Sequence, residues 1–187
     1  MTTNYIKDPY FLKCFDFTIK NEGGYNEIRF DNGGATNYGI SLRFLKYLYE
    51  NGTIWVDLNN DGKIDSKDIQ KLSLDNARKL YYINFYVPLK ISALKNETLG
   101  IKLFDTAVNV GNRPAIRFLQ SAISKSKPIT IDGLIGPQTI NEANKADISI
   151  LNLFIEEQKK YYNRIVEKNP TQQKFIKGWH NRANKLP

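Results

Sequence analysis

Glycine and proline residues divide this chain into short segments, and most segments carry an apolar repeat of helical period. Asp8 and Pro9 are typical of a helix start, and Gly23-Gly24 ends the helix that follows. The same signals predict helices at about 42–49, 73–82, 99–119 and 148–166, the third broken near Gly111. The sequence shows neither an internal repeat nor a linker, so a single helical unit is expected.

One segment departs from the helical pattern. Residues 25–40 contain the turn cluster Asp31-Asn32-Gly33-Gly34 between short flanking runs, which predicts a small irregular β-hairpin. The fold class is therefore predicted as mainly α (α+β). The 187 residues, 41% apolar and 12% aromatic, exclude a disordered chain and suffice for a core without disulfides, since Cys14 is the only cysteine. We expect Cys14 to be buried among phenylalanines.

The positive charge is confined to the second part of the chain. Residues 1–80 hold 11 Lys+Arg and 11 Asp+Glu, whereas residues 81–187 hold 16 and 8, which accounts for the formal net charge of +8. An anionic partner is therefore expected there, and nucleic acid, anionic lipid and bacterial cell wall all qualify. No stretch is long and apolar enough to predict a membrane span.

Glu22 lies at the C-terminal end of the first predicted helix. The negative pole of the helix dipole, and any burial beside aromatic rings, both favour its protonated form, as a general acid requires. The predicted hairpin can place Asp31 opposite it, and two carboxyl groups across a cleft are the minimum for glycosidic cleavage. The alternative is that Glu22 and Asp31 are surface residues of a glycine-rich turn.

Four segments carry a family resemblance. Glu22-Gly-Gly-Tyr25 and the run from Asp31 through Gly-Gly-Ala-Thr36 to Tyr-Gly-Ile-Ser41 resemble the signature of the family-108 glycoside hydrolases, which are peptidoglycan muramidases. Residues 104–111 resemble the family's Asp-x-Ala-x-Asn-x-Gly helix, and residues 175–182 its Gly-Trp-x-x-Arg segment. The Glu, Asp, Thr arrangement is also similar to that of phage-type lysozymes, which usually have one more residue before the Thr.

The resemblance implies a lysozyme-like fold and hydrolysis of the β-1,4 bond between N-acetylmuramic acid and N-acetylglucosamine, as in endolysin-type muramidases. Its implied catalytic residues are Glu22 as acid, Asp31 to position water or stabilise the oxocarbenium-like centre, and Thr36 to help hold that water. Tyr25, Tyr38 and Asn109 are interpreted as cleft walls. The alternatives are a non-catalytic cell-wall-binding or secretion-accessory protein and a basic nucleic-acid-binding domain, although no reader motif is evident.

Two parts are predicted within one compact unit: a catalytic part at 1–95 and a helical C-terminal part at 96–187. In the second, the run from Asp132-Gly133 through Gly136 to Thr139 resembles a turn of peptidoglycan-binding modules. The alternative is a turn that only caps the following helix, which would contain the same residue types at the same spacing.

Residues 57–68 match the spacing of a calcium loop, with oxygen-bearing side chains at positions 1, 3, 5, 9 and 12 and Gly62 at the sharp turn. The predicted ligands are Asp57, Asn59, Asp61, the Lys63 carbonyl, Asp65 and Asp68. Asp68 replaces the usual closing Glu, so weak, structural Ca²⁺ binding is expected, with no cofactor for catalysis. The alternative is a polar turn without metal.

The expected partner is bacterial peptidoglycan, and no nucleic-acid partner is expected. The protein is predicted to be a monomer. The first residues contain neither a basic nor an apolar signal region, so we expect synthesis in the cytoplasm and access to the wall or periplasm through a holin-type lesion or dedicated secretion.

Overall fold

Helices dominate the computed structural model, which describes the backbone of residues 4–21, 29–31 and 34–187 and the side chains of residues 5–21 and 35–187. The helices are α1 Pro9–Asn21, α2 Leu42–Glu50, α3 Ser66–Lys71, α4 Leu74–Tyr81, α5 Glu97–Val110, α6 Asn112–Ile123, α7 Pro137–Lys145, α8 Ser149–Lys168 and α9 Ile176–Asn184. The strands are β1 Arg29–Asp31, β2 Gly34–Asn37 and β3 Ile40–Ser41. The predicted mainly α class with a small β-element is confirmed.

Helix α1 begins where its cap residues predict. The Asp8 Oδ1 atom accepts hydrogen bonds from the backbone N–H groups of Tyr10 and Phe11, at 3.0 and 3.1 Å. Its inner face is fully buried, including Phe11, Phe15 and the predicted Cys14. The apolar period of α1 therefore fixes which side of the helix enters the core.

The β-sheet has three antiparallel strands in the order β1-β2-β3, one strand more than the predicted hairpin. Asn37 pairs with Ile40 across a two-residue turn, in which Tyr38 and Gly39 have φ values of 50° and 72°. Two left-handed residues at these positions define a type I′ turn, whose twist matches that of the paired strands. The buried Asn37 amide donates to the carbonyls of Ile69 and Leu72, at 3.0 and 3.3 Å, and so joins the sheet to α3.

Helix α5 joins the two parts of the sequence. Every residue from Leu99 to Ala107 is buried, because α1 packs against one side of α5 and α6 against another. Helix α6 packs on α8, and α8 on α9. Buried apolar residues from both parts belong to one cluster. The division predicted at 95/96 stays a prediction.

Helix also forms inside the predicted calcium loop and near the C-terminus. Helix α3 begins at Ser66, inside the predicted calcium loop, because Asp65 and Asp68 form a capping box. The C-terminal segment around Trp179 is helix α9. In the described part of the chain, no helix combines the length and apolar character needed to cross a membrane.

Candidate active site

The predicted catalytic residues belong to the segment between the end of α1 and the β-sheet. Helix α1 ends at Asn21, so Glu22 follows it directly in the sequence. Glu22 and the predicted cleft residue Tyr25 lie outside the described residues. Asp31 is described by its backbone only, which ends β1 and pairs with Gly34.

Thr36 occupies the middle of the sheet. It pairs with Arg29 on β1 and with Ser41 on β3, and its side chain is half-buried. The Arg29–Thr36 pair lies two register steps from the Asp31–Gly34 pair, so the sheet holds two predicted catalytic positions on adjacent strands. Ser41 caps α2, since its Oγ atom accepts from the Phe44 N–H at 3.2 Å. The end of β3 is thereby joined directly to α2.

A buried ion pair supports the end of α1. Arg182 on α9 donates through Nη2 to Asp105 Oδ1 at 2.9 Å, and Asp105 is fully buried. The Asn21 side-chain amide donates to the same Oδ1 atom at 3.2 Å. Asp105 therefore links the residue that precedes Glu22 to helices α5 and α9, which are distant in sequence.

Lys102 is buried one turn before Asp105. Its Nζ atom donates to the backbone carbonyls of Arg182 and Lys185, at 2.9 and 3.2 Å, at the C-terminal end of α9. Burial, together with the charges of Arg182 and Lys185, outweighs the attraction of Asp105 and lowers the pKa of Lys102 to about 8. Both residues thus hold the C-terminal end of α9. Lys102 does so through hydrogen bonds to backbone carbonyls, and Asp105 through its ion pair with Arg182.

Asn109, a predicted cleft residue, lies exposed one turn beyond Asp105 on α5. The buried Tyr162 hydroxyl donates to Asn109 Oδ1 at 2.7 Å, and Gln158 donates to that hydroxyl at 2.9 Å. The Trp179 ring packs against Tyr162, with centroids 5.3 Å apart. The Asn109 side chain is therefore oriented by α8 and α9.

Tyr38, the third predicted cleft residue, is half-buried and packs against the core. Its backbone carbonyl accepts from the Tyr81 hydroxyl at 3.1 Å, which contributes to holding the β2-β3 turn. Its left-handed φ of 50° is uncommon for a residue with a side chain, and the turn imposes it.

Comparison with known proteins identifies the segment that carries this geometry. A family model described as glycosyl hydrolase 108 matches residues 15–111, slightly more than half of the chain. The chain belongs to the glycosyl hydrolase 108 family. A second model, described as a predicted peptidoglycan domain, matches residues 114–184. The protein is accordingly a glycoside hydrolase of muramidase type that acts on peptidoglycan.

The fold has a solved counterpart. The chain is similar to the structure of Brucella abortus SagA, with a TM-score of 0.70 and 24% sequence identity over 92% of this chain and 88% of that one. The lysozyme-like fold is thus confirmed over nearly the whole length. No curated protein matches the sequence.

In this family-108 protein the predicted peptidoglycan turn is tightly built. The buried Gln120 side chain donates to Asp132 Oδ1 at 2.8 Å and accepts from the Gly133 N–H at 2.8 Å. Gln120 also donates to the Leu134 carbonyl and to Thr139 Oγ1, at 3.0 and 3.3 Å. The hydrogen bond from Gln120 is the main cause of a lowered Asp132 pKa. The turn is therefore fixed from inside the domain.

The predicted calcium loop is closed by backbone amides. The fully buried Asp68 accepts from the N–H groups of Leu58 and Asp65, at 2.8 and 2.9 Å. Asp57 accepts from the amides of Asp61 and Gly62, at 3.2 and 2.9 Å.

The middle of the loop is held in the same way. Asn59 Oδ1 accepts from the Asp61 N–H at 3.1 Å, and Asp61 Oδ1 accepts from the Lys63 N–H at 3.0 Å. Asp65 caps α3 through the Lys67 N–H at 2.7 Å. Within the described ranges, no group of three or more His, Cys, Asp or Glu side chains is arranged to hold a metal ion. Calcium binding therefore stays a prediction.

Sequence reasoning did not assign roles to Asp105, Arg182 or Lys102. Asp105 and Arg182 fall in the segments that resembled the family, which was the available signal. Their partnership spans 77 residues, so no local spacing indicated it.

Proposed function

We propose that this protein cleaves the β-1,4 bond between N-acetylmuramic acid and N-acetylglucosamine, with Glu22 as general acid. The observation that carries the proposal is the hydrogen bond between Asn21 and the buried Asp105, which fixes the residue next to Glu22. A general acid must be held within hydrogen-bond reach of the glycosidic oxygen, so the end of α1 has to be rigid. The buried pair with Arg182 supplies that support.

Asp31 and Thr36 complete the proposed mechanism. Glu22 protonates the leaving oxygen while Asp31 positions a water or stabilises the oxocarbenium-like centre. Thr36 helps to hold that water, and its half-buried place on the sheet suits a fixed hydroxyl. Tyr25, Tyr38 and Asn109 are proposed as cleft walls. An endolysin-type role is part of the proposal and predicts rapid lysis of cells once their membrane is opened.

Replacement of the proposed acid is the direct test. Glu22→Gln keeps the shape of the side chain but cannot donate the proton, so turbidity clearing of purified peptidoglycan should slow by about 10²- to 10⁴-fold. Asp31→Asn should be severely impaired as well, and Thr36→Ala less so. Glu167→Gln, at an exposed position on α8, is the matched control and should clear at the wild-type rate.

The alternative functions give different results. A folded Glu22→Gln variant with substantial activity would contradict the assignment of the acid. A wild-type protein that sediments with peptidoglycan without clearing it would be a wall-binding protein on this scaffold. Steeply salt-dependent binding to nucleic acid would indicate the basic-domain alternative.

A further inference from the structure

A groove opens on the C-terminal part of the chain. It lies between α6, the turn that precedes α7, and α8, and its volume is about 310 Å³. Its lining combines aromatic, aliphatic and cationic residues: Pro114, Arg117, Phe118, Ser121, Ile131, Glu157, Tyr161 and Arg164. All of them fall within residues 114–184, the range matched by the predicted peptidoglycan domain.

One wall of the groove is fixed by the Gln120-centred turn. Gly133 has a φ of 78°, and a Cβ atom there would lie 2.6 Å from Arg113 Cγ and 3.2 Å from Arg117 Cγ. Only glycine therefore lets the aliphatic stem of Arg117 pack onto the turn. The turn thereby holds the base of the Arg117 side chain and leaves its exposed end at the groove.

The charges of the groove are unbalanced. Its only acid, Glu157, is already paired with Lys160 at 2.7 Å and lies 4.0 Å from Lys125. Arg117 and Arg164 make no ion pair or hydrogen bond with any described residue, and both are exposed. Two guanidinium groups thus line one groove without a counter-charge from the described parts of the chain. A carboxylate is a ligand that a guanidinium binds through two parallel hydrogen bonds.

The floor of the groove is apolar. The rings of Phe118 and Tyr161 pack at 5.3 Å with an angle of 53°, and Ile131 is exposed at one edge. A ligand that fits must therefore present carboxylates to the arginines and small apolar groups to the rings. A neutral sugar chain lacks the carboxylates, and a polyol phosphate chain lacks the apolar groups.

We propose that this groove binds the stem peptide of peptidoglycan, with its carboxylates on Arg117 and Arg164 and its alanine methyl groups on Phe118 and Tyr161. The proposal rests on the proposed function, because it takes peptidoglycan as the substrate. The stem peptide combines free carboxylates with small methyl side chains, as the groove requires. The groove thus adds a peptide-recognition site to an enzyme whose chemistry acts on the sugar chain.

The test uses the wild-type chain and a soluble disaccharide-peptide, a product that contains no further bond for the enzyme to cleave. Calorimetric titration should show binding that weakens about tenfold in Arg117→Gln and in Arg164→Gln, the equivalent of one charge-assisted contact. Lys168→Gln removes a charge from an exposed position on the same helix as Arg164 and should bind like wild type. Unchanged melting temperatures in all three variants would show that the fold is intact.

Modified probes identify the recognised group. The same disaccharide-peptide with its stem carboxylates amidated, and the disaccharide whose lactyl carboxyl group carries a simple amide in place of the peptide, should both bind weakly and with equal affinity to wild type and the arginine variants. The site assignment fails if the two arginine variants bind the unmodified probe as well as wild type does. It also fails if amidation has no effect, or if a polyol phosphate oligomer binds in its place with the same dependence on arginine.

Failure of this inference is separable from failure of the proposed function. Clearing of peptidoglycan by wild type, with binding that is insensitive to both arginines, would overturn the stem-peptide site alone. Arginine-dependent binding of the disaccharide-peptide by a protein that does not clear peptidoglycan would retain the site and overturn the proposed hydrolysis.

Discussion

Asp105 combines complete burial with two side-chain partners from distant helices. Replacing it by Asn keeps the shape but leaves the charge of Arg182, whose side chain is 13% exposed, without its buried carboxylate. Removing one member of a buried pair costs about 3–5 kcal/mol. We therefore expect Asp105→Asn to lower the free energy of unfolding in urea by about 3 kcal/mol and to slow peptidoglycan clearing, since Asn21 loses a charged acceptor.

A surface pair is the control for Asp105. Glu156 bonds to Lys159 at 3.1 Å, but the Glu156 side chain is 58% exposed, so Glu156→Gln should change the free energy of unfolding by less than about 1 kcal/mol. Equal effects of the two substitutions would show that the Asp105 pair is not a structural support of α1.

Lys102 gives a pH-dependent prediction. Its pKa in the folded protein is about 8, against an ordinary value of 10.5, so between these values the unfolded chain binds more protons than the folded one. The contribution of Lys102 to the free energy of unfolding therefore rises with pH through that window, by at most about 3 kcal/mol. The neutral amine keeps two donors for the carbonyls of Arg182 and Lys185.

Lys102→Met isolates this titration, since the other groups titrate in both proteins. The difference in unfolding free energy between wild type and Lys102→Met, measured in urea at about pH 7 and about pH 10, should shift in favour of wild type at the higher pH. A difference that does not depend on pH would contradict the lowered pKa of Lys102.

At the scale of single elements, the sequence predicted what local chemistry determines. The start of α1 follows from the Asp8 cap, because capping acts within a few residues. Strand β3 was missed because its type I′ turn places Tyr38 at positive φ, which the residue type does not signal. Helix α9 was missed because its stabilising contacts come from α5 and α8.

The loop at 57–68 carries the prediction that belongs to this scale. We propose that it binds Ca²⁺ weakly through Asp57, Asn59, Asp61, the Lys63 carbonyl, Asp65 and Asp68. A carboxylate oxygen that accepts one amide keeps a second lone pair, so the hydrogen bonds of the loop leave acceptors for a cation. Ca²⁺ should raise the melting temperature with the logarithm of its concentration, above a dissociation constant on the order of micromolar to millimolar.

Scanning fluorimetry with Ca²⁺ against a chelator measures this effect. Asp61→Ala removes an exposed ligand and should abolish the increase, whereas Asp68→Ala should destabilise the loop with or without Ca²⁺, because Asp68 also closes it. A melting temperature that does not change across millimolar Ca²⁺ would establish a metal-free polar turn.

At the scale of the whole molecule, the fold class and the segments that resemble the family could be predicted from the sequence. The contacts between those segments could not. The Asp105–Arg182 pair and the four side-chain contacts of Gln120 depend on segments brought together by a shared core. Hydrophobic period predicts which face of each helix is buried, but it does not say which partner covers that face. The functional positions of α5 and α9 therefore emerge only from the packed structure.

The last prediction concerns the dependence of the two parts on each other. A fragment of residues 1–111 contains the whole glycosyl hydrolase match, 15–111, but lacks every partner that α6 to α9 supply to α5. It leaves Lys102, Asp105 and Thr106 without their contacts to Arg182 and Gln158. Each buried polar group left unpaired costs about 1–3 kcal/mol, and more if charged, against a typical domain stability of about 5–15 kcal/mol.

The fragment should therefore lack a cooperative thermal transition and clear no peptidoglycan, whereas the full chain should unfold in a single calorimetric transition. Arg182→Gln in the full chain is the partial counterpart, because it removes one of these contacts while the apolar packing of α6 on α5 remains. It should fold with a lowered melting temperature. If the fragment unfolds cooperatively and retains activity, the catalytic part is an independent domain and the buried contacts of α5 serve another purpose.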